Sequence, residues 1–199
     1  MLKVGVTGGI GTGKTIVCKL FYLLGIPVLD ADQVAKKLLN EDEKIIHQVQ
    51  KLFGDNAYNN GIYQKEFIAA EAFSNPKLLE ELNKIVHPPT FAFIENWTRE
   101  QEINNHPYSI KEAAIMIESG SYKEMDYIIG VQAPEDLRIH RIQKRNNWNI
   151  DEIKNRMQAQ MPEEEKSKFY DFTIINDEKN ALIPQVQNIH EVLLQLSKK

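Results

Sequence analysis

Cysteine is nearly absent. The 199-residue chain carries one, Cys18. A single thiol cannot close an internal disulfide, so the chain reads as a protein of a reducing, cytoplasmic compartment. Cys18 itself reads as a small buried apolar residue on a helix. Long apolar runs are missing too. No stretch reaches the roughly 18 apolar residues of a membrane span. The opening residues are apolar but meet glycines at once, without the charged and long hydrophobic regions of a signal peptide. Nor is there an excess of positive charge: 24 Lys and Arg stand against 28 Asp and Glu, a formal net charge of −4. Nucleic acids and anionic membranes reward a basic field, so neither is expected as a partner. No internal repeat or low-complexity tract is present. With 42% hydrophobic residues, the chain can bury the core of one α/β domain with small insertions.

Hydrophobic period and breakers predict the element order. Residues 3–6 read as a buried strand, 8–13 as a glycine-rich turn and 14–24 as a helix, with Val17, Leu20, Phe21 and Leu24 on one face. Gly25 and Pro27 then punctuate a second short strand at Val28-Leu29. This is the opening of a parallel α/β sheet. Asp32 stands where an N-cap belongs, before a helix over 33–39. Residues 41–103 are mostly helical in pattern, with breaks at Gly54, Asn59-Asn60-Gly61, Asn75-Pro76 and His87-Pro88-Pro89. Strands are predicted over 113–117 and 127–131, both apolar throughout, as strands covered on both faces should be. A helical, Arg-rich stretch over 134–160 is broken at Asn146-Asn147-Trp148-Asn149. A last strand over 172–175 and a terminal helix over 181–196 follow.

Gly8-Gly9-Ile10-Gly11-Thr12-Gly13-Lys14-Thr15 matches G-x-x-x-x-G-K-[ST] between a predicted strand and helix. Glycines let the backbone curl until successive N–H groups point at phosphate oxygens. The helix beginning at Lys14 and running through Ile16 adds the positive end of its dipole. The Lys14 ammonium suits the β- and γ-phosphates, and the Thr15 hydroxyl suits Mg²⁺. The loop therefore predicts a nucleoside triphosphate. Guanine-specific enzymes carry Asn-Lys-x-Asp. Asn83-Lys84-Ile85-Val86 lacks that acid, and no machinery of a larger motor ATPase is evident. A short P-loop chain with a late Arg-rich segment points to a kinase.

Further side chains are candidates. Asp30-Ala31-Asp32 follows the second strand, and strand C-terminal ends line the ligand crevice of a parallel sheet. Either acid could take a hydroxyl proton or hold metal, and Asp32 could equally be a helix cap. Glu118 would end the strand over 113–117, as a carboxylate near the metal or as a surface acid. His87 could bind acceptor or simply make a structural hydrogen bond. Arg138, Arg141 and Arg145 fall on one helix face, with Arg141 at its centre. They would serve a lid that offsets phosphoryl charge or a solvated face of ion pairs.

Taken together, these residues resemble the dephospho-coenzyme A kinase family from end to end. The phosphate loop, the Asp30-Ala31-Asp32 segment after Gly25-Ile26-Pro27, Leu82 to Pro88 with its His87-Pro88, and Glu118 carry the likeness. So do Arg138, Arg141 and Arg145, then Arg156 with Gln160 and Lys166, and the closing Asp171 to Asn176. The sequence departs by Thr12 and Thr15 for serines, and by Lys36 where an arginine is common. The resemblance implies a P-loop nucleotide-kinase-like α/β fold of three layers: one domain over 1–199, with a helical acceptor-binding insert at about 40–104 and a lid at about 138–166. It implies ATP and dephospho-coenzyme A as substrates, with Mg²⁺. It implies Asp32, Lys14 and Arg141 as catalytic residues. It implies Gly8 to Ile16, Arg141, Arg145 and Asn176 on the ATP side. Asp32, Lys36, His87 and Glu118 fall on the acceptor side, and Thr15 and Asp32 near the metal. Two other readings stay open on the residues alone: a different P-loop kinase whose insert takes a nucleobase, and a nucleotide-binding switch without transfer.

Overall fold

The computed structural model describes residues 1–198, without the side chains of Phe73 and Pro76. The chain enters on β1 (Leu2–Thr7), turns through the glycines into α1 (Lys14–Leu23) and returns on β2 (Val28–Asp30). Strand β1 is buried over its last four residues, and α1 buries Val17, Cys18 and Phe21 as its spacing predicts.

Residues Ala31–Arg99 form a compact unit of their own. It comprises α2 (Ala31–Glu41), α3 (Glu43–Phe53), β3 (Tyr58–Asn59), β4 (Ile62–Tyr63), α4 (Lys65–Ser74) and most of α5 (Pro76–Ile103). Asp42 starts α3 by accepting the Lys44 and Ile45 N–H groups. Its core is Ile45, Val49, Ala57, Tyr58, Ile68, Leu82 and Val86.

Two expectations are corrected in this unit. Helix α2 begins at Ala31, with Asp32 in its first turn, so Asp32 is not its cap. His87-Pro88-Pro89 does not end a helix either, because α5 runs through all three. The prolines remove the N–H groups that would meet the Lys84 and Ile85 carbonyls. Helix on both sides carries the segment across, and Thr90 Oγ1 donates to Val86 O at 2.7 Å.

The other compact unit is Met1–Asp30 with Glu100–Lys199. After α5 come β5 (Tyr108–Glu112), β6 (Tyr127–Gln132), α6 (Glu135–Asn146), α7 (Ile150–Gln158), α8 (Glu163–Lys166), β7 (Phe172–Ile175) and α9 (Leu182–Leu196). The main sheet has the order β2-β5-β1-β6-β7, and every neighbouring pair is parallel. Alternate residues Val4, Val6, Ile129 and Val131 face a core shared with Phe21 of α1 and with Val186, Ile189 and Leu193 of α9. On the opposite pleat, a side chain at Gly5 would strike Met116, and one at Gly130 would strike the Tyr170 ring. Bare glycines there let these two residues lie close on the sheet.

The strand expected over 113–117 is displaced. β5 occupies Tyr108–Glu112, while 114–120 is a turn with Met116 and Ile117 buried. An apolar run without a period marks burial and not conformation. The α/β parallel-sheet class itself is borne out.

Candidate active site

β1 has β5 on one side and β6 on the other, so the strand order reverses there. In open parallel sheets such a switch point opens a crevice at the C-terminal strand ends. The phosphate loop leaves β1 into that position. Gly13 caps α1 at φ +93°, a left-handed conformation glycine adopts without strain, and supplies no side chain to the helix N-terminus. A side chain at Gly13 would also collide with Asn176 Nδ2. Thr12 is buried, and its Oγ1 donates to Gly9 O at 2.9 Å. Lys14 Nζ donates to the Gly8 and Gly9 carbonyls at 2.9 and 3.3 Å, so its ammonium lies over the loop. Ile16 follows on α1, half exposed, and its N–H bonds Gly13 O.

Behind the loop stands a carboxylate that sequence reasoning missed. Glu112 ends β5, in register with Asp30 at the end of β2 and with Val6 of β1. It is buried, and it accepts from Thr15 Oγ1 at 3.1 Å. Burial raises its carboxyl above the usual range. The Asp30 charge adds to the rise, while Lys14, Thr15 and Cys18 oppose it. The Cys18 thiol is pushed up as well, first by burial and then by Glu112. Two strand-end carboxylates and a threonine hydroxyl thus meet beside the loop, within the influence of the Lys14 charge.

Glu118 does not end a strand. It belongs to the turn after β5. Its Oε1 pairs with the fully buried Lys166 Nζ at 2.7 Å and accepts the Met161 N–H at 3.1 Å. Arg141 reaches the end of β7: it donates to Asn176 O and Oδ1 at 3.2 to 3.3 Å and to Glu178 at 3.0 Å. Asn176 is buried and donates in turn to Thr12 O at 2.7 Å, so Arg141, Asn176 and the phosphate loop form one chain of contacts. Arg145 is exposed and holds Asn146 Oδ1. Arg156 stacks over Trp148, 4.1 Å from the ring centroid. The guanidinium that touches the loop is Arg138, whose Nε donates to Ile10 O at 2.9 Å.

Asp32, Lys36 and His87 are exposed and belong to the unit Ala31–Arg99. Asp32 and Lys36 share a face of α2 at i, i+4. The His87 ring packs on Phe91 with centroids 5.7 Å apart.

The sequence model of dephospho-CoA kinase matches residues 2–181. A dephospho-CoA kinase of Bacteroides fragilis strain YCH46 is 34% identical over 194 residues, covering 98% of this chain and 94% of its own. That of Chlorobaculum tepidum is 36% identical over 199 residues, covering 97% and 95%. Among solved structures, TT1252 from Thermus thermophilus superposes with a TM-score of 0.83 at 28% identity, covering 98% of this chain and 97% of that one. Dephospho-CoA kinase from Campylobacter jejuni gives 0.70 at 25% identity, with the same coverage. A shikimate kinase from Acinetobacter baumannii shares the fold, with a TM-score of 0.52 at 16% identity over 100% of this chain and 96% of its own.

Proposed function

The chain belongs to the dephospho-CoA kinase family, and from that premise we propose that it transfers the γ-phosphoryl of ATP to the ribose 3′-hydroxyl of dephospho-CoA. The products are CoA and ADP, and the step is the last of CoA synthesis. The observation that carries the reading is the phosphate loop, set between β1 and α1 with Lys14 over it and Glu112 behind Thr15. The acceptor oxygen attacks the γ-phosphorus in line, and its proton passes to the Asp32 carboxylate. The bond to the bridging oxygen breaks, with ADP as the leaving group. Lys14 offsets charge on the phosphates. Arg141, Arg145 and Asn176 serve the ATP side. Lys36, His87 and Glu118 serve the acceptor side. The stretch 40–104 would bind acceptor, and 138–166 would form the lid. We place the reaction in the cytoplasm, where ATP is made and a lone thiol stays reduced. No helix among the described residues is long and apolar enough to cross a membrane.

A divalent cation fits this site, and we propose Mg²⁺. Among the described residues, no cluster of three or more His, Cys, Asp or Glu could cage a metal alone. Mg²⁺ favours a different arrangement, one or two carboxylates plus substrate phosphates and waters. Thr15 and Glu112 would hold it, with Asp32 as the family likeness implies. When bound it would neutralise charge on the β- and γ-oxygens.

Glu112→Gln should raise the Mg²⁺ concentration for half-maximal rate about tenfold, the scale of one lost charge-assisted contact. In the native chain that concentration should also climb as pH falls through the raised Glu112 pKa, because a proton then competes with the metal. The Gln variant should lose this dependence. Since folding raises this pKa, ionised Glu112 costs the folded state above the unfolded pKa. The neutral Gln should therefore keep or raise Tm at neutral pH. Mg²⁺ titrations of the rate at several pH values test this, and identical curves for both proteins would remove Glu112 from the metal site.

The activity itself is tested by ADP release with Mg²⁺, ATP and dephospho-CoA, against shikimate, nucleosides and no acceptor. Turnover should require dephospho-CoA. Turnover on a nucleoside with none on dephospho-CoA would replace this reading with that of another P-loop kinase.

A further inference from the structure

Ile10 sits in the middle of the phosphate loop, and both of its backbone polar groups are held by residues far along the chain. Its N–H donates to Gln160 Oε1 at 2.8 Å. Its carbonyl accepts from Arg138 Nε at 2.9 Å. Gln160 follows α7 and Arg138 stands in the first turn of α6, so two separate segments grip one residue, one at its N–H and one at its carbonyl. The loop glycines make room for this grip. A side chain at Gly9 would run into the Arg138 guanidinium. One at Gly11 would meet Arg138 O at 2.9 Å and Ile142 Cδ1 at 3.0 Å.

Both gripping residues are themselves fixed. The Arg138 N–H bonds Pro134 O at 3.0 Å, which seats it on α6. The Gln160 N–H bonds Met157 O at 3.2 Å. Its neighbour Met161 gives its N–H to Glu118, the carboxylate that also holds the buried Lys166. A side chain held by a supported backbone makes a precise contact, because little freedom remains to be lost.

We propose that Arg138 and Gln160 are positioning residues that clamp Ile10 and so hold the phosphate loop in its nucleotide-binding shape. The inference rests on the reading of this loop as the ATP site. A loop ordered beforehand pays less conformational entropy when phosphate arrives. Releasing either backbone group of Ile10 returns that cost to the binding step. The clamp also ties α6 and the segment after α7 to the nucleotide phosphates through one residue.

The test is calorimetric titration of MgATP into the native chain, Gln160→Leu, Arg138→Leu and the double variant. Each single variant should bind MgATP about tenfold more weakly, the scale of a hydrogen bond lost with its partner left behind. KM for dephospho-CoA should stay near native, and Tm should fall by no more than a few degrees. The double variant should lose less than the product of the single losses, since both act on one residue and the first release already frees the loop. Amide exchange in the unmodified chain gives a measurement that needs no variant: without nucleotide, the Ile10 N–H should be protected. Native-like MgATP affinity in the single variants, losses that multiply, or an unprotected Ile10 N–H would each overturn the clamp. Tighter binding by Gln160→Leu would overturn it as well, and would mean that the carboxamide competes with phosphate. A native chain that binds no MgATP would instead overturn the ATP-site reading itself.

Discussion

Lys14→Ala should abolish phosphoryl transfer in a chain that stays folded. Lys14 is the first residue of α1, and its ammonium lies over the loop on the Gly8 and Gly9 carbonyls. Those carbonyls are neutral acceptors. Phosphate oxygens are charged ones, and bonds to them are shorter and about twice as strong. The ammonium should therefore engage the β- and γ-phosphates when ATP is present, and its contribution should grow as charge develops in transfer. Loss of one preorganised group of this kind costs about 10²- to 10³-fold in kcat. Weaker nucleotide binding adds to that, so kcat/KM should fall by roughly 10³-fold or more. Stability should barely change, because Ala is the best helix former. One opposing effect is expected: the Lys14 charge helps keep Glu112 ionised, so its removal should raise the Glu112 pKa further. Steady-state kinetics beside a thermal melt decide the matter. A folded Lys14→Ala protein with near-native kcat/KM would mean that the loop does not carry the phosphates in this way.

The phosphate loop was legible because its chemistry is local. Glycines, lysine and threonine must fall at fixed spacing between a strand and a helix, and one window of sequence contains them all. The sites that escaped are non-local or disguised. β5 reads Tyr-Ser-Ile-Lys-Glu, so its buried Lys111 and Glu112 look like a surface, while the apolar run just beyond it looks like the strand. Lys111 can be buried because it pairs with Glu124 at 3.2 Å, a partner that no periodicity reveals. Misplacing that strand put the strand-end acid at Glu118 and hid Glu112. The β3–β4 hairpin shows the opposite case. Asn60-Gly61 marks a tight turn in sequence, and the structure gives both residues positive φ, +49° and +76°, between two short paired strands. The turn signal was sound, but strands of two residues carry too little pattern to be read. The grip on Ile10 could not be read at all, because Gln160 meets it across 150 residues of chain. The glycines at 9 and 11 hinted only that something approaches the loop closely.

Asp32→Asn should leave the chain folded and able to bind ATP while lowering kcat by roughly 10²- to 10⁴-fold, the scale of a positioned general base. Asp32 follows the β2 end at Asp30 by two residues and lies exposed in the first turn of α2. Because α2 starts at Ala31, capping does not explain this side chain. A carboxylate in a first turn is also attracted to the helix N-terminus, by about 0.3–1 kcal/mol. Asn forfeits that attraction and keeps the size. Ala forfeits both but gains helix propensity. Neither variant should lose more than a few degrees of Tm, at about 2–4 °C per kcal/mol for a chain of this size. Activity should behave differently. A carboxamide cannot accept the proton that the acceptor hydroxyl must lose, so Asn and Ala should be about equally slow despite their different shapes. Asp32→Glu keeps the base but moves it by one methylene, so it should retain part of the rate. Equal loss in Asn and Ala, partial recovery in Glu and unchanged MgATP affinity in all three would assign the proton to Asp32. An Asn variant with native kcat would move the base to Asp30, which stands beside Glu112 at the end of the sheet.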